Sequence, residues 1–307
     1  MRNAFINTIL DASRERDDIF ILSGDAGLGV FDRFKEEFPD RFRNMGAAEQ
    51  NTISFAAGLA MTGYKVIVYN IIPFLLYRCY EQVRNDICSQ GLPVVLAGIG
   101  SGITYAPQGM SHYSVEDIGL VQTLPDLVAI SPMDPVEARA AACYALDCNS
   151  PVYVRLAKNG EPRFHQHTDM DIAAPQIIRE GEGTAILCHG SIANEVMAAY
   201  EILNGRGHAP TIVSVPTVQP LDVPSLTEIL SRSTHVVCVE EHFANCGLGS
   251  MLARLKAEIP ADWELTSIGI PQRFIHDVRK TGGLRGSLGI SAEHIVHAVE
   301  TGFGCAQ

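Results

Sequence analysis

The chain has one tryptophan in 307 residues, and aromatic side chains make up only 7% of it. It contains no run of lysine and arginine, and its formal net charge is −12. Nucleic acid or an anionic membrane surface would meet repulsion rather than a matching charge, which argues against both as partners. No uninterrupted apolar run reaches the ~20 residues of a membrane-spanning helix. The opening stretch MRNAFINTILDASRERDD turns acidic at once and lacks the apolar core and cleavage site of a secretory signal. None of the eight cysteines, at 79, 88, 143, 148, 188, 238, 246 and 305, stands in a CxxC pair. Several lie in apolar runs, so they read as reduced core thiols of a cytoplasmic protein, not as a disulfide framework or a zinc site. Low-complexity tracts and internal repeats are missing as well.

What is present is apolar content, 47% of the residues, on a length that suits about two domains with a core in each. Phe5, Ile6, Ile9 and Leu10 mark the buried face of an amphipathic first helix. Short apolar runs then alternate with helical stretches. Ile19–Leu22, Val66–Val68, Val94–Ala97, Val128–Ile130 and Val152–Val154 read as buried parallel strands, with helices at 51–61, 74–90, 115–123 and 135–147. The polar stretch 159–175, with Pro162 and Pro175, is the linker candidate. After it the alternation restarts, with strands at Ala185–Cys188, Thr211–Val215, Val236–Val239 and Leu265–Ile268 and helices at 193–205, 222–231, 247–258 and 291–300. The expected fold class is α/β, two doubly wound domains, each with a mostly parallel sheet covered by helices.

Residues 46–60, GAAEQNTISFAAGLA, put one carboxylate, Glu49, among small and apolar residues at the opening of a helix. Such an acid is either paired or has a raised proton affinity, because burial disfavours its charged form. Acids of that kind cluster where proton chemistry is done, although a helix-start acid favoured by the macrodipole is the plainer alternative. In 74–86, FLLYRCYEQVRND, the rings of Phe74, Tyr77 and Tyr80 recur every third residue and share roughly one side, as a stacking surface or as core. In 108–117, QGMSHYSVED, His112 has a pKa close enough to neutral to hold or pass a proton. Ser114, with Asp117 three residues on, reads as a cap for the next helix. Arg155 and Lys158 leave the C-terminal end of a strand, the edge beyond which open parallel sheets bind ligands; solvated loop cations are the alternative. Gly247 and Gly249 form a GLGS turn into a helix, a conceivable phosphate cradle without the Lys-[Ser/Thr] pair of a P-loop. His165 and His167 form an HxH in the linker, but Asp169 and Asp171 are not at ligand spacing, so no metal site is expected there.

Taken in order, these segments resemble the transketolase family over nearly the whole chain. The resemblance rests on AEQN with its Ala/Gly-rich helix, on the aromatic helix and on the loop ending at His112. In the second half it rests on GSIANEV (190–196), VSVPTVQPLD (213–222) and VEEHFANCGLGS (239–250). It implies a thiamine diphosphate-binding fold, with a pyrimidine-binding domain at 1–165 and a C-terminal domain, mainly interface-building, at 180–307. By the same resemblance Glu49 holds a ring nitrogen of the aminopyrimidine and Tyr77 stacks on that ring, with Phe74 and Tyr80 beside it and mainly core. Asp25, in the GDAGLGV loop after the first strand, lies near the cofactor edge or is simply a solvated turn residue. His112 contacts the substrate and assists proton movements, while Arg155 and Lys158 hold a substrate phosphate. The chain departs from the family at Gln108, where many transketolases place an aspartate that reads a sugar hydroxyl. It departs again near Gly100, where a second family histidine would fall.

The family's diphosphate-binding signature is GDG followed after a spacer by Asn. Gly24-Asp25-Ala26 with Asn51 imitates it, but Asn51 belongs to AEQN. The resemblance therefore implies half of an active site. A separate N-terminal subunit would carry the diphosphate-binding domain and be the main binder of Mg2+, with two copies of each chain in the assembly. The implied activity moves a two-carbon ketol unit from a ketose to an aldose. The beta subunit of a 2-oxo acid dehydrogenase is the next reading, and a fragment of 1-deoxyxylulose-5-phosphate synthase the third. From another class stands a non-catalytic binding or scaffold protein that kept the fold.

Overall fold

The computed structural model describes residues 1–27, 29–158, 160–260 and 262–302; Cys305, one of the thiols noted above, lies outside them. The first half supplies strands β1 Ile19–Ser23, β2 Phe42–Asn44, β3 Lys65–Ile71, β4 Val94–Ile99, β5 Val128–Ile130 and β6 Val152–Leu156. The second supplies β7 Gln176–Arg179, β8 Gly183–Cys188, β9 Thr211–Ser214, β10 Thr217–Gln219, β11 Ser233–Phe243 and β12 Glu264–Ile270. They form a seven-stranded sheet, β10-β5-β6-β4-β3-β1-β2, and a five-stranded sheet, β12-β11-β8-β9-β7. Each is parallel except at one edge, where β10 runs antiparallel to β5 and β7 antiparallel to β9.

The continuous apolar runs are central strands buried on both faces, as parallel sheets require. On one face of the first sheet the helices Arg2–Ser13 and Pro135–Asp147 bring Phe5, Ile9, Ala138 and Ala142 into one cluster. On the other, the helix Glu49–Met61 and the segment 73–90 bring Ile53, Ala57, Leu76 and Val83. The second sheet is covered in the same way, by Val196 and Ile295 on one side and Leu226 and Leu252 on the other. No helix among the described residues is long and apolar enough to cross a membrane.

The structure departs from the periodicity in three places. The helix expected over 74–90 is broken. Wide turns at Pro73–Tyr77 and Val83–Ile87 flank the short helix Tyr80–Gln82. Cys79 leaves helical geometry at φ −110°, ψ 14°, and its Sγ lies 3.2 Å from the Phe74 carbonyl oxygen. Ser114 does not cap the next helix, which runs only over Asp117–Val121; its hydroxyl instead donates to the Gly100 carbonyl at 2.7 Å. Finally, β10 comes from the second half yet pairs with β5 in the first sheet, so the two units are clasped rather than strung in line.

Between the two units lies a buried polar seam. The Asp117 carboxylate, fully buried, accepts from the Tyr153 hydroxyl and from Arg155 Nε, each at 2.7 Å. Arg155 Nη2 donates to the Ser114 carbonyl at 2.8 Å and to the Glu241 carbonyl, on β11, at 3.0 Å. Glu241 in turn accepts from the Ile103 N–H at 2.8 Å and pairs with Arg285 at 2.5 Å. Gly102, at φ +60°, has the Glu241 carbonyl oxygen 2.9 Å from where a Cβ would stand, so this approach requires a glycine. Burial works against the charge of Arg155, but Asp117 together with Tyr153 and Glu241 outweighs it and holds the guanidinium above its ordinary pKa. This corrects the expectation that Arg155 grips a substrate phosphate. Only 1% exposed, it is a tie between domains.

The linker is docked by a second cluster. Asp134 caps the helix Pro135–Asp147 by accepting from the Val136 and Glu137 N–H groups at 2.8 and 2.9 Å, with proline at the first helical position. Its other oxygen accepts from the Phe164 and His165 N–H groups at 2.9 and 3.0 Å and meets His165 Nδ1 at 3.0 Å. His165 Nε2 faces Glu137 Oε1 at 3.4 Å, so this histidine is a linker anchor.

Both clusters can be tested by removing one partner. Arg155→Ala should destabilise the chain by about 3–5 kcal/mol, read by urea unfolding, because it strands the Asp117 charge. Asp134→Ala, which removes a cap and a charged acceptor, should cost about 2–4 kcal/mol. The docking should also respond to pH. Burial lowers the His165 pKa, but Asp134 and Glu137 outweigh burial and the opposing Arg163, so the net direction is up. Its contribution is therefore complete below its ordinary 6.5 and is lost as pH rises through the higher folded value. Burial pushes Glu137 to about 7, so its neutral form favours the folded state, a contribution lost as pH rises from its ordinary 4.5 to about 7. Burial also opposes ionisation of Asp134, but its hydrogen bonds hold it at about 2; its contribution is present above the ordinary 3.8 and fades only as pH falls toward 2. Proteolysis within 159–175 should speed up as pH passes 7 in the native chain, and Asp134→Ala should flatten that response.

Candidate active site

Parallel strands place their carboxyl ends on one edge, and four of them deliver side chains there. β2 leads to Glu49, β3 to Phe74, Tyr77 and Arg78, β4 to the loop 100–112, and β6 to Lys158. The Glu49 carboxylate is 9% exposed at the first turn of its helix and pairs with Arg78 Nη1 at 2.8 Å. The Arg78 guanidinium, about half exposed, lies 4.6 Å from the centre of the Phe74 ring. Phe74 meets the His112 ring edge to face, with centroids 5.3 Å apart and planes at 73°. On the far side of His112 the Tyr105 ring stands at 6.1 Å, and Lys158 Nζ sits 5.3 Å from the centre of that ring. The result is one row of contacts along the sheet edge, with charged groups at its ends and three rings between them.

Glu49, Phe74, His112 and Lys158 of the expected residues thus come together. Phe74 is not core filling; it is the ring that joins Arg78 to His112. Tyr77 is partly buried, its hydroxyl donating to Glu116 Oε2 at 2.9 Å and accepting from the Glu116 N–H at 3.2 Å. Burial raises the pKa of Glu116, and the Tyr77 hydrogen bond only partly offsets it. Tyr80 packs on the core beneath, with its hydroxyl against Thr123 Oγ1. All three rings therefore reach the segment 112–123, in spite of the broken helix that carries them. Gln108 is exposed on the same loop as His112, and Asp25 is exposed in the turn after β1, outside the row.

Burial pulls the His112 pKa below its ordinary value, so the ring is neutral at neutral pH and one nitrogen is open to a proton. Ser111 Oγ lies 3.0 Å from Nδ1. The loop is held from below: the Tyr113 hydroxyl is 2.9 Å from the carbonyl oxygens of both Ala106 and Asp277.

Sequence reasoning passed over Arg78, Tyr105 and Glu116. Arg78 and Glu116 stood inside segments singled out for their neighbours, and nothing in spacing alone pairs either with its partner. Tyr105 carried no signal beyond being aromatic in a loop. The GLGS turn proves to be no phosphate cradle. Its Leu248 and Gly249 N–H groups already bind the Glu240 carboxylate at 2.8 and 3.0 Å, which fills the helix start from within the chain.

An acid at a helix opening, with a flat ring beside it, can hold a nitrogen heterocycle by hydrogen bond and stacking. These residues fit the pyrimidine half of thiamine diphosphate. Nothing in the row offers a comparable cradle for its diphosphate.

The chain matches two family models, "Transketolase, pyrimidine binding domain" over residues 1–161 and "Transketolase, C-terminal domain" over 174–295. It is 32% identical to one subunit of the apulose-4-phosphate transketolase of Actinobacillus succinogenes, an alignment covering 96% of each chain. It is 31% identical to 1-deoxy-D-xylulose-5-phosphate synthase 1 of Geobacter sulfurreducens over 96% of its own length but 47% of that protein's. A solved structure described as a split gene transketolase, inactive β4 tetramer, superposes with a TM-score of 0.87 at 29% identity, covering 98% of this chain and 97% of that one. The chain belongs to the transketolase family, whose pyrimidine-binding and C-terminal domains it carries in that order.

Proposed function

We propose that this chain is the C-terminal subunit of a two-component transketolase, which moves a two-carbon ketol unit from a ketose to an aldose. The reading is carried by one observation: Glu49, Phe74 and His112 converge on the carboxyl edge of a parallel sheet, with Lys158 at the end of the row. The full-length likeness to a protein named as one subunit of a transketolase and to one described as a split-gene product supports the two-component form. In this reading a separate N-terminal subunit holds the cofactor's diphosphate and its Mg2+, and two copies of each chain assemble. The description of that structure as an inactive β4 tetramer supports the expectation that this chain alone does not turn over.

Thiamine diphosphate, when bound, supplies the electron sink that lets the bond beside a ketose carbonyl break and re-form. Glu49 would hold a ring nitrogen of the pyrimidine by hydrogen bond, and Phe74 and Tyr77 would flank the heterocycle, with Tyr80 packed on the core below. Glu116 holds Tyr77 in place through its hydroxyl. His112, neutral and beside the reacting carbons, takes or returns the proton of a sugar hydroxyl. Lys158 receives the anionic end of a phosphorylated or otherwise acidic sugar, as a point charge. Gln108 stands exposed where it can meet a substrate hydroxyl.

Glu49→Gln keeps the shape and removes the acid. With the partner subunit and cofactor present, it should lower turnover by about a hundredfold or more, the scale on which positioned acid–base groups act. Ketol transfer between sugars is the assay, with 2-oxo acid oxidation run in parallel. Retention of activity within a few-fold would remove Glu49 from the mechanism, and turnover of 2-oxo acids alone would reassign the chain.

A further inference from the structure

We infer that Tyr105 is the specificity-determining residue of this site, a gauge of substrate chain length; the inference rests on the proposed ketol transfer. Gly100, with φ +93°, has no side chain, and a Cβ there would stand 2.2 Å from Tyr105 Cδ2. The Tyr105 ring therefore fills the volume that a side chain at position 100 would use. It is also fixed in place. The ring packs against the core cluster of the first domain, and its loop is tied down at Ala106 through the Tyr113 hydroxyl.

The ring contacts two groups with different tasks. His112, at 6.1 Å, serves the reacting carbons, and Lys158, at 5.3 Å, serves the anionic end. A substrate that reaches both groups passes beside the Tyr105 ring, which each of them touches. That ring is flat and incompressible, so it fixes how many carbons separate the carbonyl from the charge. A histidine at position 100 would offer a hydrogen-bonding group there; a phenol ring offers an apolar wall. Discrimination should therefore depend on the length of the chain more than on its hydroxyl pattern. Longer substrates must overrun the ring or place their charge beyond Lys158.

The experiment uses the reconstituted, cofactor-loaded enzyme and compares kcat/KM for xylulose 5-phosphate and sedoheptulose 7-phosphate. The native enzyme should favour the shorter donor. Tyr105→Ala should move the ratio toward the longer one by about tenfold, the scale of one or two methylenes in a pocket. Tyr105→Leu, which keeps apolar packing if the alanine variant folds poorly, should move it in the same direction. Tyr105→Phe should leave it unchanged, since the wall and not the hydroxyl does the sorting. Equal loss on both donors, an unmoved ratio in both truncations, or a phenylalanine variant that behaves like alanine would each overturn the inference. So would native enzyme that turns over neither donor. In that event thiamine diphosphate binding by the assembled pair, measured by calorimetry, shows whether the proposed function has failed too.

Discussion

A carboxylate with no access to water has to be answered by the protein, and at the junction of the two domains Asp117 Oδ2 accepts from Tyr153 and Arg155, while Oδ1 faces His242 Nε2 at 3.7 Å without a hydrogen bond. Much of the architecture follows from that requirement. Arg155, once drawn to Asp117, directs Nη2 to the Ser114 carbonyl of the site loop and the Glu241 carbonyl of β11, while Nη1 has no hydrogen-bond partner among the described residues. The neighbouring Phe243 N–H donates to the Val115 carbonyl at 2.9 Å, and the Ile118 N–H to His242 Nε2 at 3.1 Å. The segment that carries His112 and Glu116 is therefore held by the C-terminal domain on one side and by its own sheet on the other. Burial lowers the pKa of His242 and, with Arg155 adding to it, takes His189 to about 3, so both imidazoles are neutral and add no positive charge to those of Arg155 and Arg285. A domain that contributes nothing to the row from Glu49 to Lys158 still fixes where the row stands.

Most of the fold was legible because its cause is local. Parallel strands buried on both faces must be apolar throughout, and Ile19–Leu22 or Val94–Ala97 can hardly be read otherwise. Phe5, Ile6, Ile9 and Leu10 turn up buried as their spacing demands. What escaped was set by distant partners. β2, β7 and β10 are three or four residues long, too short to show a period, and β10 is a strand only because β5 has a free edge. The break at Cys79 depends on a sulfur–carbonyl contact that spacing does not reveal.

The site divides along the same line. Glu49 stood out because a carboxylate among alanines is costly unless it has work to do, and the structure pairs it with Arg78. His112 stood out because its residue type titrates near neutrality. Arg155 misled for a physical reason: a cation at the carboxyl end of a buried strand can point outward to a ligand or inward to a buried acid. Only the location of Asp117, thirty-eight residues earlier, decides between them. Lys158, three residues on and past the end of β6, has left the buried zone and stays at the edge. The step from 155 to 158 is the step from seam to site.

A chain of net charge −12 poses a difficulty for the anionic sugar proposed as its substrate. The whole molecule repels such a ligand at long range. At physiological ionic strength, however, exposed charges are screened within about 8 Å, so the approaching anion is governed by what lies close to the edge. There the row presents Arg78 and Lys158, each laid over an aromatic ring. Ring contact holds a cation in place without neutralising it, whereas a surface carboxylate would cancel it. Arg78 is paired with Glu49, but Lys158 is not among the chain's described ion pairs. A small anion, reaching only the edge, meets the local cation first. Selectivity for a compact charged substrate thus needs no net basic character, only a lysine held over a tyrosine.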